Sequence, residues 1–169
     1  VRSDVPFLDL ACHPAGHLSV PEIRSVCRRR ADEGRPCDVC VIDYADLLMP
    51  PAGLKDMRDK VNAVWVELRA LAAELHCLVV TATQANAGSY RSPHLDRKSF
   101  SEDKRKLGLV SAMVGIHATA EEKEQGVTHW NLVTAREKDY NPSRYVHVAG
   151  CLPLANPTVV SCWKEGDRR

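Results

Sequence analysis

The tightest constraint on the fold is a pair of short apolar runs separated by one long amphipathic stretch. Val39-Cys-Val-Ile-Asp43 closes on a carboxylate, and Cys77-Leu-Val-Val-Thr-Ala82 leads directly into Thr83-Gln84-Ala-Asn86. Between them Met57, Val61, Val64, Leu68, Leu71 and Leu75 recur at alternating steps of four and three, which puts one apolar stripe on a helix over residues 54 to 76. Strand, helix, strand in this order is a parallel crossover. The interior strands of a parallel sheet are expected to be covered on both faces, and ligands gather beyond their carboxyl ends. Asp43 and Gln84 both fall at such ends.

The remaining segments fit an α/β domain. Residues 7 to 12 read as a short strand, and Ser19-Val-Pro21-Glu22 opens a helix with a Ser cap and Pro in its first turn, ending near Gly34. The basic run Arg28-Arg-Arg30 at its end suits the helix dipole as a solvated face. Met49-Pro-Pro-Ala-Gly53 is a turn. Residues 86 to 108, rich in Gly, Ser, Pro and basic side chains, read as a mobile loop. Strands are expected at Leu109 to Ile116 and Trp130 to Ala135, with a polar turn at Glu121 to Gly126 between them. Tyr145 to Val148 and Thr158 to Cys162 read as antiparallel strands near an edge, set apart by Pro153 and Pro157. Residues 164–169 form a polar tail expected to fray. No internal repeat is visible.

With 169 residues, 44% of them hydrophobic, the chain can bury one sizeable core and is treated as a single domain over 1–163. Its net charge of +1 sets up no global basic field, so any nucleic-acid contact has to be local. No apolar stretch approaches the roughly 20 residues of a membrane span and no signal-peptide pattern opens the chain, which points to a cytoplasmic protein with no membrane partner. Seven cysteines, an odd number scattered over strand-like and helical segments, do not form a secreted disulfide framework. Cys37-Asp-Val-Cys40 has the spacing of half a zinc site, with His13 and His17 as conceivable partners, but small buried hydrophobes account for these cysteines more simply. The chain opens on Val1 rather than Met, which suggests a piece of a longer protein, and no Gly-X-X-X-X-Gly-Lys-Ser/Thr phosphate loop occurs in it.

A carboxylate at Asp43 can hold Mg²⁺ through its water shell, and an amide at Gln84 can contact a terminal phosphate or order the attacking water. The order of these signals resembles the C-terminal motor domain of DnaB-like replicative DNA helicases, a branch of the RecA-like ATPases often met in phage-type proteins. Val41-Ile-Asp43-Tyr-Ala-Asp-Leu-Leu48 resembles that family's Walker B strand. Thr83-Gln84-Ala-Asn86 resembles its Ser-Gln-X-Asn-Arg motif, and Leu132-Val-Thr-Ala-Arg136-Glu-Lys138-Asp is similar to its Ala-Lys-X-Arg-Asn strand end. The chain departs from the pattern at Ala87, where an Arg is usual, and at Ser111, where an Asp is usual. Arg136 and Lys138 also stand in the reverse of the usual Lys and Arg order.

The resemblance implies a RecA-like P-loop NTPase core lacking its Walker A part, with a mainly parallel sheet, helices on both faces and antiparallel edge strands. It implies ATP and Mg²⁺ as cofactors, with Asp43 holding the metal through water, Gln84 sensing the γ-phosphate, and Arg136 with Lys138 completing a neighbour's site. The implied assembly is a homo-oligomer, a hexameric ring with ATP between subunits, working on single-stranded DNA in the cytoplasm of a bacterium or phage-infected host, with primase or loader proteins as further partners. Lys104, Arg105, Lys106 and Gly108 resemble the segment that holds the DNA backbone, with Arg91, Arg97 and Lys98 adding to it. Two alternatives keep the same ancestry: a recombinase-like or clock-type ring ATPase that does not unwind, and a degenerate ATPase acting as a DNA-binding or assembly subunit. In a chain that holds only part of such a domain, apolar surface is expected to stand uncovered.

Overall fold

The computed structural model describes residues 8–85, 95–97, 99, 105–137, 139–141, 143–151 and 156–164, with Cys151 and 156–164 described by their backbone. The chain divides into two compact units, Val1–Thr83 and Gln84–Arg169.

In the first unit, helix α1 (Val20–Asp32) starts where the sequence predicts. The Ser19 hydroxyl accepts from the Glu22 backbone N–H while the Glu22 carboxylate accepts from the Ser19 N–H at 2.8 Å, a reciprocal capping box. It ends at Gly34, whose φ of +78° is left-handed backbone that favours glycine. Of the arginines on this helix, Arg28 and Arg29 are exposed and Arg24 and Arg30 half-buried; Arg24 and Arg28 reach Glu74, and Arg30 reaches Asp9 and Glu33.

Strand β1 (Val39–Ile42) lies parallel to β2 (Leu78–Thr81) in the register Val39↔Leu78 through Ile42↔Thr81, joined by helix α2 (Met57–Leu75). The Asp56 carboxylate caps α2 by accepting from the Arg58 and Asp59 backbone N–H groups, and His76 closes it in the left-handed region at φ 51°. The buried side of α2 is Val64, Trp65, Leu68 and Leu71, each of the two leucines contributing roughly 1.5–3 kcal/mol by leaving water. The predicted stripe is shifted at its start: Met57 is exposed and Trp65 takes its share of the core.

Two expectations are corrected in this unit. Residues 8 to 12 form no strand: no described strand pairs with them, and Leu8 and Leu10 stand exposed. The β1–β2 pair is covered on one face only. Cys40, Ile42, Val79 and Thr81 are turned inward, while Val39, Val41, Leu78 and Val80 are exposed, Val41 at 72%. Among the described residues no further strand pairs with this two-stranded sheet.

The second unit is built on an antiparallel sheet in the order β3 (Ala112–His117), β4 (Val127–Ala135), β5 (Tyr145–Cys151), β6 (Asn156–Lys164). The antiparallel edge strands predicted near residues 145 and 158 are therefore present. A short helix α3 (Arg105–Leu109) stands at the end of the segment read as a loop. The polar turn expected at Glu121 is a one-turn helix, α4 (Ala120–Glu124), because Thr119 and Glu122 form a second capping box that the sequence reading overlooked. Leu95 and Val133 form the centre of this core, with Ala85, Leu107 and Met113 packed on it. On one buried face the register sets His117, His129 and His147 side by side across three strands. Glu122 reaches His129 Nδ1 at 3.2 Å.

Candidate nucleotide site

Asp43 follows β1 directly, and the peptide linking it to Tyr44 is cis. Its side chain is exposed, and the backbone behind it is held at several points. Thr81, at the end of β2, donates its hydroxyl to the Ile42 carbonyl at 2.9 Å and accepts from the Ala45 N–H at 2.9 Å. Asp46, in the 3-10 turn Ala45–Leu47, accepts from the indole N–H of Trp65 at 2.8 Å and from the Thr83 hydroxyl at 2.7 Å. Two carboxylates three positions apart therefore have different work: Asp46 braces the turn against α2 and the end of β2, and Asp43 is left facing water on a fixed backbone. The sequence reading singled out Asp43 but missed the brace. Asp46 and Trp65 gave a weak signal of it, a second acid in the turn and an indole beside the helix stripe.

This geometry fits a magnesium–nucleotide complex in donor type. Mg²⁺ prefers hard oxygen ligands, keeps several waters and is commonly held by one or two carboxylates together with substrate phosphates. Asp43 supplies one such carboxylate. Among the described residues no group of three or more His, Cys, Asp or Glu side chains is arranged to hold a metal by itself, so phosphate oxygens and water would complete the coordination.

Gln84 follows Thr83 in the chain, is exposed, and begins the second unit. Arg136, just beyond β4, is exposed but engaged: its Nε donates to the Val110 carbonyl at 2.9 Å, a terminal guanidinium nitrogen donates to the Gly108 carbonyl, and its backbone N–H donates to Ser111 at 2.9 Å. It thus closes the carboxyl end of α3, where backbone carbonyls lack helical partners. The same residue lines an open depression of about 480 Å³ with Ala135, Glu137, Asp139 and Tyr140.

The candidate DNA contacts separate by position. Arg105 is exposed on α3, whereas Lys106, its neighbour, is only 9% exposed, because consecutive helical side chains diverge by about 100°. Gly108 is exposed, with its carbonyl taken by Arg136. Arg97 donates to the Thr134 hydroxyl at 3.1 Å. Arg91, Lys98, Lys104 and Lys138, as well as Asn86 and Ala87, lie outside the described residues.

No curated protein sequence matches this one. Among solved structures, one similar chain is that of a DnaB-like replicative helicase, described with its interactions with primase. It has a TM-score of 0.67 at 15% identity, covering 78% of this chain and 33% of the other. Another is an ATPase domain with a TM-score of 0.67 at 16% identity, covering 78% of this chain and 48% of the other. This chain therefore spans between a third and a half of the structures it resembles, and at such identities the likeness establishes the RecA-like α/β fold. The family itself is fixed by sequence. The DnaB-like helicase C-terminal domain matches residues 4–100, more than half of the chain and inclusive of both Asp43 and Gln84, and the protein belongs to that family.

Proposed function

We propose that this chain is the later part of an ATP-driven motor that moves along single-stranded DNA and unwinds duplex, with residues 1–163 forming the portion of the ATPase domain from just before the Walker B strand onward. The observation that carries the reading is Asp43: an exposed carboxylate at the carboxyl end of a parallel strand, on a turn braced by Thr81 and Asp46, inside the segment matched to the family. Asp43 holds Mg²⁺ through water, and Gln84 senses the γ-phosphate. The motor works as a homo-oligomeric ring, a hexamer, with ATP between subunits. Arg136 and Lys138 approach a neighbour's phosphates, and a cation so placed can supply orders of magnitude in rate. Arg105, with Arg91, Arg97, Lys98, Lys104 and the Gly108 backbone, holds DNA phosphates without reading sequence, while buried Lys106 stands behind them. Primase or loader proteins are its further partners, and the cytoplasm its compartment. No described helix is long and apolar enough to cross a membrane.

The test is ATP hydrolysis by the native assembly, with and without single-stranded DNA, beside Asp43→Ala. DNA-stimulated hydrolysis abolished in the variant supports the motor, and a forked duplex then separates unwinding from recombinase-like or clock-type activity. One observation favours a second reading, a non-hydrolysing assembly or DNA-binding subunit: the Arg136 guanidinium is already committed to carbonyls of its own chain. A well-folded assembly that binds DNA without hydrolysing ATP would select that reading.

A further inference from the structure

Strand β4 fastens two stretches that come well before it in the chain. Near its middle, the buried Asn131 amide donates to the Leu95 carbonyl at 2.6 Å, and the Arg97 guanidinium donates to the Thr134 hydroxyl at 3.1 Å. Just past its end, Arg136 donates from Nε to the Val110 carbonyl at 2.9 Å and from a terminal nitrogen to the Gly108 carbonyl. Its backbone N–H donates to the Ser111 carbonyl at 2.9 Å. Leu95 and Val133 form the core between these ties, and Leu107 of α3 packs on it. Residues 131–136 therefore hold Leu95 and Arg97 on one side and Gly108 and Val110 on the other.

Helix α3 needs such a hold. Five residues make little more than one turn, and a helix that short is not stable by itself. Its last carbonyls have no partner along the helix, and the planar guanidinium supplies donors to two carbonyls at once. Gly108 weakens α3 further, since glycine is a poor helix former. Nothing in the chain demands it: its φ is not left-handed, and among the described residues a Cβ there would meet nothing within 4 Å. A glycine required neither by conformation nor by packing leaves the backbone open to close approach from outside. Arg105 and Gly108 are three positions apart, which puts them on one face of α3, and both are exposed, whereas Lys106 between them is buried.

We propose that Arg136 is a positioning residue for the nucleic-acid contact of its own chain. Its guanidinium fixes the end of α3 so that Arg105 and the open backbone at Gly108 are presented together to the phosphates of single-stranded DNA. The inference rests on the DNA contact proposed above and adds Arg136 to it as the group behind the contact. A guanidinium held by two carbonyls is not itself the phosphate ligand. Without it the surface that binds must be ordered on binding, which weakens affinity but leaves the number of phosphates neutralised the same. This role is separate from any approach to a neighbour's phosphates, and Arg136→Lys tells the two apart, because lysine keeps the charge and loses the planar fork.

The experiment is binding of fluorescently labelled oligo-dT by the native assembly, loaded with a non-hydrolysable ATP analogue, over a series of salt concentrations. Arg136→Lys should bind about three- to tenfold more weakly than the parent at fixed salt, with the slope of log affinity against log salt unchanged. A direct phosphate ligand would behave differently: Arg136→Lys would bind like the parent, and Arg136→Met would lose about 0.7 of the slope. That pattern, or parent-like affinity in both variants, overturns the inference. If the variants fail to fold, the parent decides. Bound oligo-dT should slow hydrogen exchange at the Val110 amide, which donates to the Lys106 carbonyl at 3.3 Å, and unchanged exchange there also overturns it. A parent that does not bind oligo-dT sinks the proposed function and this inference with it, whereas a binding parent with unaffected variants sinks this inference alone.

Discussion

Asp46→Ala offers the sharpest check on the division of labour at the end of β1. The substitution removes the acceptor for both the Trp65 indole N–H and the Thr83 hydroxyl. Trp65 is 5% exposed, so its N–H finds no water in exchange and the loss carries a desolvation cost of about 1–3 kcal/mol. The Thr83 hydroxyl is partly buried and can rotate toward solvent, adding about 0.5–1 kcal/mol. The total of about 2–4 kcal/mol is a large share of the stability of a typical domain. With a urea m-value near 2 kcal/mol per molar, the midpoint should fall by about 1–2 M. Circular dichroism at the helical minimum follows it, because α2 is the longest described helix and carries Trp65. Asp43→Asn, at an exposed carboxylate, should move the midpoint by less than about 0.5 kcal/mol equivalent. Equal losses in the two variants, or an Asp46→Ala chain as stable as the parent, would refute the assignment of brace and ligand.

Gly126→Ala should destabilise the second unit by about 1–3 kcal/mol in the same urea assay, because φ there is +68° and a Cβ would stand 2.7 Å from the Gly150 carbonyl oxygen. Arg136→Met should accelerate hydrogen exchange at the Val110 amide, which donates to Lys106 at the end of α3, since the guanidinium that ties up the Gly108 and Val110 carbonyls is lost; unchanged exchange would show that the tie carries no weight. Burial pushes the Glu122 carboxyl up, but the Thr119 N–H, His129 and the Thr119 hydroxyl outweigh it and hold the group below its ordinary 4.5. Its stabilisation is thus complete above that value and disappears as pH falls through the lower folded pKa. Acid titrations of stability should be flatter for Glu122→Gln than for the parent in this window, and parallel curves would contradict the assignment.

The elements legible in the sequence were those whose local chemistry agrees with their tertiary setting. Ser19, Pro21 and Glu22 announce α1 because a cap is satisfied within four residues, and the four-three spacing from Val61 to Leu71 announces α2 because one face of a helix must be buried. Segments whose outcome depends on partners were harder. Leu8 and Leu10 have the pattern of a strand, yet a strand exists only where another supplies hydrogen bonds, and none of those described does.

The same distinction separates the chemistry that could be read from the chemistry that could not. Asp43 is visible because a carboxylate ending an apolar run is a local event. The burial of Cys27 and Cys77 is invisible because it depends on α1 and on a sheet whose second strand comes only after α2. Cys37-Asp-Val-Cys40 has the spacing of half a zinc site, but among the described residues no three such side chains are arranged to hold a metal and His13 and His17 stand exposed, so the cysteines read as packing. The register Cys40↔Val79 agrees with that, since it sets Cys77, two residues before Val79, on the inner face with Cys40 across a parallel crossover.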